Sequence, residues 1–321
     1  MTAAAQPGTA ARPVVLFVLG MARSGTSALT RVLSLCGGRL PPGMLGANRS
    51  NPLGYWESRD VAVLNHAILR RHGSTIYDPS LRLQEEGAFD AGEKAACIAE
   101  IRAFLTTLPA APLVVIKDPS IAVLSGVWFE AARLAGFDVS AVIAVRHPQE
   151  VSASCRKSYR MSPDLSGGLW LKYTLLSERH TRVLPHVFVD YANLLDNWRR
   201  EIKRISAALA IDLNTRDEGA VEEYLTPEQR HQRHCGPVTE PFGTDWISVV
   251  YETLRAAARD EPWDQSALDR VFEAYRASEH GFRTVFKDYR RFDKGRLLPP
   301  SIHRLGLEIL AMAHRRRGAW A

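Results

Sequence analysis

Apolar positions run along this chain in two rhythms. Short unbroken runs of mostly β-branched and aliphatic residues occupy Val14 to Leu19, Leu113 to Ile116, Val139 to Val145 and His186 to Val189. Runs this brief, without alternation, read as strands buried on both faces. Between them the apolar residues take helical spacing. Leu29, Val32, Leu33 and Cys36 mark one helix, and Val61, Leu64, Ile68 and Leu69 a second that ends near Gly73. Further helices are predicted over about 91–108, stopped by Pro109 and Pro112, over 121–134, from Pro148 onward, and over 170–183. Another follows Tyr191 and runs through Leu195, Trp198, Ile202 and Ile205. Strands alternating with helices predict an α/β fold with a central parallel sheet of four to five strands flanked by helices. Beyond Asp212 no strand is evident. Helices are expected over about 226–234, 245–259, 265–278 and 302–317, which makes the C-terminal region helical. No repeat or linker divides the chain, so residues 13–321 are expected to form one domain, with 211–321 as a helical cap. Residues 1–12, rich in Ala, Thr, Pro and Gly, are expected to be disordered.

The first strand leads into Gly20-Met-Ala-Arg-Ser-Gly-Thr-Ser27, and a helix follows. A strand, a Gly-bounded turn and a helix in that order make an anion cradle. Backbone N–H groups of the turn point at the ligand, and the helix presents unpaired N–H groups and the positive end of its dipole. The glycines have the spacing of a Walker A loop, but Thr26 stands where that motif has lysine. Alone, the loop is open to three readings: an anion site of another kind, a degenerate nucleotide loop or a structural turn.

Composition changes this picture little. Over 321 residues, 46% are hydrophobic and 24% charged, ordinary for a globular protein, and the formal net charge of +6 suits a polyanionic ligand or a mildly basic surface equally well. The four cysteines, Cys36, Cys97, Cys155 and Cys235, are scattered and form no Cys-x-x-Cys. They read as reduced thiols in a cytoplasmic protein, with no metal site expected. The first apolar run is too short to span a membrane. The basic residues are dispersed without interleaved aromatics, so no nucleic-acid partner is expected. The amphipathic stretch 302–317 ends in Arg315-Arg-Arg317. Its cations complement the helix dipole or meet an anionic membrane surface.

A second anion site is legible after the third strand. Arg146 ends that strand, and Ser154 lies eight residues on, inside the next helix. Ligands of an open α/β sheet gather at the carboxyl ends of its strands, so Arg146 and the Gly20–Ser27 loop are expected to face one crevice. An Arg fork and a hydroxyl there suit a second anion. Alternatively, Arg146 pairs with a carboxylate and Ser154 is a helix-surface hydroxyl.

Five segments resemble the sulfotransferases that use 3′-phosphoadenosine 5′-phosphosulfate. Gly20 to Ser27 is similar to that family's 5′-phosphosulfate loop. Val145-Arg-His-Pro-Gln-Glu-Val-Ser-Ala-Ser154 is similar to its 3′-phosphate motif, with the same Arg-to-Ser spacing. Val187-Phe-Val-Asp-Tyr-Ala-Asn-Leu194 resembles the strand that ends in Tyr-Glu-Asp-Leu. Asn51-Pro-Leu-Gly-Tyr-Trp-Glu57 and Ile116-Lys-Asp-Pro119 resemble segments of the bacterial and carbohydrate-acting branches. The resemblance covers about residues 14–210 and implies a P-loop-like fold and sulfuryl transfer to an acceptor hydroxyl without a metal. It implies that Arg23 neutralises charge on the leaving oxygen and that Ser24, Gly25, Thr26 and Ser27 bind the 5′-phosphate. Arg146 and Ser154 match the 3′-phosphate pair, and Tyr191 matches a tyrosine near the adenosine. The departures are informative. Ala28 stands where the cytosolic branch stacks an aromatic on adenine, so other residues must support the base. Lys117-Asp-Pro119 lacks that branch's histidine, although Lys117 can still contact the sulfuryl oxygens. The general base expected instead is Glu57, whose alternative role is to cap the helix that starts near Ser58. Asp118 is the reserve base or an orienter of Lys117. His66 and His147 are expected to pack, and Arg230, Arg233 and His234 either close over the donor or form a solvated face.

The acceptor, a glycan, lipid or small-molecule hydroxyl, is expected against residues 37–90 and the C-terminal helices, with Tyr55, Trp56, Tyr77 and Trp170 as stacking or core residues. Two other functions remain open on the sequence: a P-loop-like kinase or nucleotide phosphohydrolase, and a non-catalytic nucleotide-binding protein.

Overall fold

The computed structural model describes residues 12–48, 51–215, 217–226, 237–278 and 299–316, together with positions 285, 288, 289, 291 and 292. Strand β1 (Val14–Leu19) is central because every second residue finds a different apolar neighbour. Val15, Phe17 and Leu19 enter one core, and Leu16 and Val18 enter the core on the opposite face. β2 (Leu113–Lys117), β3 (Asp138–Val145) and β4 (His186–Asp190) complete a four-stranded sheet in the order β2-β1-β3-β4. All three pairings are parallel, with Val14 opposite Leu113 on one side and Asp138 on the other. The fold class is therefore α/β with a parallel sheet and flanking helices, as expected, and the sheet has four strands.

Helix α1 (Thr26–Leu35) covers one face, together with α7 (Tyr191–Asp196), α8 (Trp198–Leu209) and α9 (Glu218–Tyr224). The other face carries α2 (Arg59–Arg71), α3 (Ala91–Leu105), α4 (Ile121–Leu134), α5 (Pro148–Tyr159) and α6 (Pro163–Thr181), with α10 (Trp246–Ala257) and α11 (Gln265–Ala277) beyond. A last helix, α12 (Pro300–Arg316), packs on α2. The C-terminal region is helical, as predicted, with no strand among its described residues.

Several boundaries differ from the sequence reading, each for a local reason. α3 stops at Leu105 because the Thr106 and Thr107 hydroxyls donate to the Ala103 and Phe104 carbonyls and turn the chain. α6 begins well before Trp170. Ser162 caps it by accepting from the Leu165 N–H, Pro163 fits the first turn, and Trp170 is core. The single helix expected after Tyr191 is two helices. Asn197 leaves helical geometry at φ −151, and its side chain caps the second by accepting from the Arg200 N–H. α9 was not expected, and the helix expected over 226–234 lies outside the described residues apart from Thr226, which is not helical. So do the segment expected to be disordered, except Arg12, and Cys235. Arg12 is held by the carbonyls of Gly136 and Phe137.

The topology positions the site. β1 connects to β2 on its left and β3 to β4 on its right. The carboxyl ends of β1 and β3 thus flank the point where the winding reverses, where α/β sheets open a crevice.

Candidate functional site

At the end of β1 the chain makes a sharp loop into α1. Gly20 has φ +126, and a Cβ there would lie 3.0 Å from the Ala144 carbonyl oxygen of β3, so only glycine lets the loop pass this close to the sheet. Arg23 also has positive φ, +73, a conformation that costs a non-glycine residue about 1 kcal/mol or more. Gly25 has φ +92 and starts α1 with no side-chain cap, and the helix has no acidic residue in its first turn. Its leading N–H groups are thus left for an anion. Ser24 and Thr26 are buried beneath the loop.

Arg146, just after β3, joins this loop. Its Nη1 donates to the Arg23 carbonyl (3.1 Å), and its Nε donates to Glu150 Oε2 (2.8 Å). Its guanidinium carbon lies 4.5 Å from the Tyr191 ring centroid. Tyr191, the first residue of α7, also fills the space beside Gly25, where a Cβ would come within 2.3 Å of its ring. Ser154 is on α5 and accepts from Arg23 Nε (2.9 Å). The two motifs do face one crevice. Within it, Arg146 has the carboxylate partner that the sequence allowed, and the Ser154 hydroxyl is bonded to the loop arginine.

A cavity of about 320 Å³ opens beside Arg23 and Ser27. On its floor Lys117 Nζ, at the end of β2, donates to the Glu57 carboxylate, to the Tyr55 carbonyl (3.2 Å) and to Ser27 Oγ (3.3 Å). Lys117 is buried and Glu57 nearly so. Burial raises the Glu57 pKa, while the Lys117 charge opposes the rise. Ser58, not Glu57, precedes α2, and Glu57 turns to Lys117. Asp118 Oδ1 accepts from Asn65 Nδ2 and from the Ser120 N–H, both at 2.9 Å. It orders the turn into α4 and, through Asn65, reaches Trp128 Nε1. It also lines the cavity.

The remaining walls come from far apart in the chain. Thr75, Ile76 and Tyr77 form one and Tyr159 another, while His303, Leu307 and Leu310 of α12 supply a third. His66 stacks on His303, with centroids 3.9 Å apart. His147 caps α5 and meets Tyr251 edge-on. Arg230, Arg233 and His234 lie outside the described residues. Among the described residues no cluster of His, Cys, Asp and Glu suits a metal, and no helix is long and apolar enough to cross a membrane.

No protein-family profile matches this chain, and neither does any curated protein sequence. Solved structures do match. A sulfotransferase domain from the olefin synthase of Synechococcus PCC 7002 is 18% identical, with TM-score 0.41, over 85% of this chain and 98% of that one. A sulfotransferase domain from the curacin biosynthetic pathway is 15% identical, with TM-score 0.40, over 82% and 97%. A sulfotransferase from Mycobacterium tuberculosis H37Rv is 14% identical, with TM-score 0.36, over 75% and 76%. Likeness at this level carries no functional argument.

Sequence reasoning missed two parts of this site. The His66–His303 stack joins helices more than two hundred residues apart, and no local pattern announces it. The wall at 75–77 is held from behind by buried residues that read as ordinary core-helix positions. Lys172 Nζ donates to the Asp78 carbonyl (2.7 Å), Tyr173 Oη to that of Ile76 (2.8 Å), and Tyr275 Oη to that of Gly168 (3.1 Å) and, more closely, Pro79. The one signal was a lysine within the largely apolar stretch Leu169 to Leu176.

Proposed function

We propose that this protein is a sulfotransferase that moves a sulfuryl group from 3′-phosphoadenosine 5′-phosphosulfate to an acceptor hydroxyl in the cavity. One observation carries the reading. An uncapped helix N-terminus with an arginine, and no Walker lysine, opens onto a cavity floored by a buried Lys117–Glu57 pair. A phosphosulfate needs an anion cradle and a cation at the leaving oxygen, and an alcohol needs a base beside it.

The residues fit the donor. The backbone of Ser24 to Ser27 would hold the 5′-phosphate, and Arg23 would meet the charge on the leaving oxygen. Arg146 is fixed edgewise by Glu150 and face-on by Tyr191, and with Ser154 it would take the 3′-phosphate. Trp56 is buried near Ala28, with Arg31 4.4 Å from its ring centroid and Tyr224 edge-on, so it packs as core and the support for the base must come from elsewhere. The donor supplies an activated sulfuryl group. The acceptor oxygen forms the new S–O bond as the bond to the 5′-phosphate breaks, and the acceptor proton passes to Glu57. Lys117 holds Glu57, and it would reach the sulfuryl oxygens by releasing Ser27 Oγ or the Tyr55 carbonyl. Asp118 serves by ordering the turn behind Lys117.

Calorimetric titration with 3′,5′-adenosine bisphosphate, without Mg²⁺, tests the reading. Binding near the micromolar range should weaken about tenfold or more in Arg146→Ala, some 1.4 kcal/mol. Failure to bind, with ATP–Mg²⁺ bound instead, would overturn it in favour of phosphoryl transfer. Tight binding without transfer to any acceptor, unaltered in Glu57→Gln, would leave only a nucleotide-binding protein.

A further inference from the structure

Helix α12 has two apolar faces. Leu307 and Ala311 are buried, and His303, Leu307 and Leu310 line the cavity. On the far side Ile302, Leu305, Ile309 and Met312 are 48%, 60%, 54% and 49% exposed. Their spacing of three, four and three residues aligns them in one stripe. Among the described residues seven large apolar side chains are exposed, and four of them lie here. This concentration is not the scatter of single apolar residues that any surface carries.

Charge indicates what covers the stripe. Arg304 is 71% exposed beside it, and the helix's one carboxylate, Glu308, is engaged by Arg59 at 2.8 Å and lies 3.9 Å from Arg304. The sequence then reads His314-Arg-Arg-Arg317, with Trp320 three residues on, and the whole chain carries +6. A second copy on this face would bring like charges together. An anionic bilayer is complementary to both features, apolar for the stripe and negative for the flanking arginines.

From these observations we propose that α12 is an interfacial helix that seats the molecule on an anionic lipid surface. Its inner face walls the cavity while its outer stripe enters the headgroup boundary. The proposal does not rest on the donor chemistry, so binding of 3′,5′-adenosine bisphosphate and binding of lipid can fail separately.

The test is co-sedimentation of the full chain with vesicles of phosphatidylcholine alone or with about one-third phosphatidylglycerol. Wild type should favour the anionic vesicles by about tenfold or more and release at high salt. Leu305→Ser combined with Ile309→Ser should lose that binding with thermal unfolding unchanged. If the double variant does not fold, Leu305→Cys carrying an environment-sensitive fluorophore replaces it, and a blue shift on anionic vesicles is expected. No wild-type binding to anionic vesicles, or no shift of the label, overturns the proposal. So does light scattering that shows a dimer broken by the double variant with no vesicle binding, which would give the stripe to a second copy.

Discussion

A methyl group at position 25 would meet the ring of Tyr191, in a backbone conformation that L-residues rarely adopt. Gly25→Ala should therefore cost about 1–3 kcal/mol and abolish binding of adenosine bisphosphate, because the loop can accommodate the methyl only by moving away from α7. Adding Tyr191→Ala should restore part of the loss, which denaturation of the single and double variants would measure as a coupling. Glu57 makes a different kind of demand. As a base it must be ionised, and burial lifts its pKa, so kcat/KM should fall on the acid side at a pH above the ordinary carboxylate range. Lys117 favours the charged form. Lys117→Met should thus move that limb to still higher pH while lowering the rate. Glu57→Gln should lose about 10²- to 10⁴-fold in kcat with nucleotide affinity retained. A pH profile of the lysine variant that overlays wild type would remove Glu57 from the role.

At the scale of elements, α6 does more than cover the sheet. Its buried Lys172 holds the segment that walls the cavity, and burial pushes this lysine down to about 8. An unfolded lysine keeps its proton to about pH 10.4. Between those values the unfolded chain binds more protons than the folded one, so this group's contribution to stability rises with pH. Urea denaturation across that window should show wild type gaining on Lys172→Met, by at most about 1.4 kcal/mol per pH unit. Equal slopes would mean that the lysine titrates normally. α12 behaves in the same sense, in a lower pH window. His303 is held down to about 4, first by burial and then by His66. An unfolded histidine protonates near 6.5, so stability is lost as pH falls from there toward 4. Hydrogen-exchange protection of residues 300–316, taken relative to the intrinsic rate at each pH, should fall over that range, and His303→Phe should flatten the response.

For the molecule as a whole, legibility followed sequence distance. The four strands were readable because burial on both faces leaves an unbroken apolar run, and β1 was predicted to the residue. The loop and Arg146 were readable because glycine spacing and strand ends are local signals. That Arg23 would bond Ser154 while Glu150 held Arg146 was not, since the same side chains permit several pairings that only packing selects. Helix ends set by single caps, Ser162 and Asn197, were missed where apolar spacing ran past or fell short of them. The cavity was legible only as regions, residues 37–90 and the C-terminal helices, where Tyr55, Tyr77 and Leu307 do line it; which side chains meet there was not, because its walls join only in three dimensions.

Arg59 and Glu308, paired across 249 positions, mark how late that meeting comes. A chain leaves the ribosome N-terminus first and folds as it emerges. Sheet, loop, Arg146 and the helices that cover both faces of the sheet are all made before α12. The wall beyond Glu57 is still missing, and the Gly46 N–H still awaits the Leu310 carbonyl. A nascent chain paused before α12 should hold adenosine bisphosphate yet transfer nothing, so this protein would acquire its ligand site and its activity at different moments of its own synthesis.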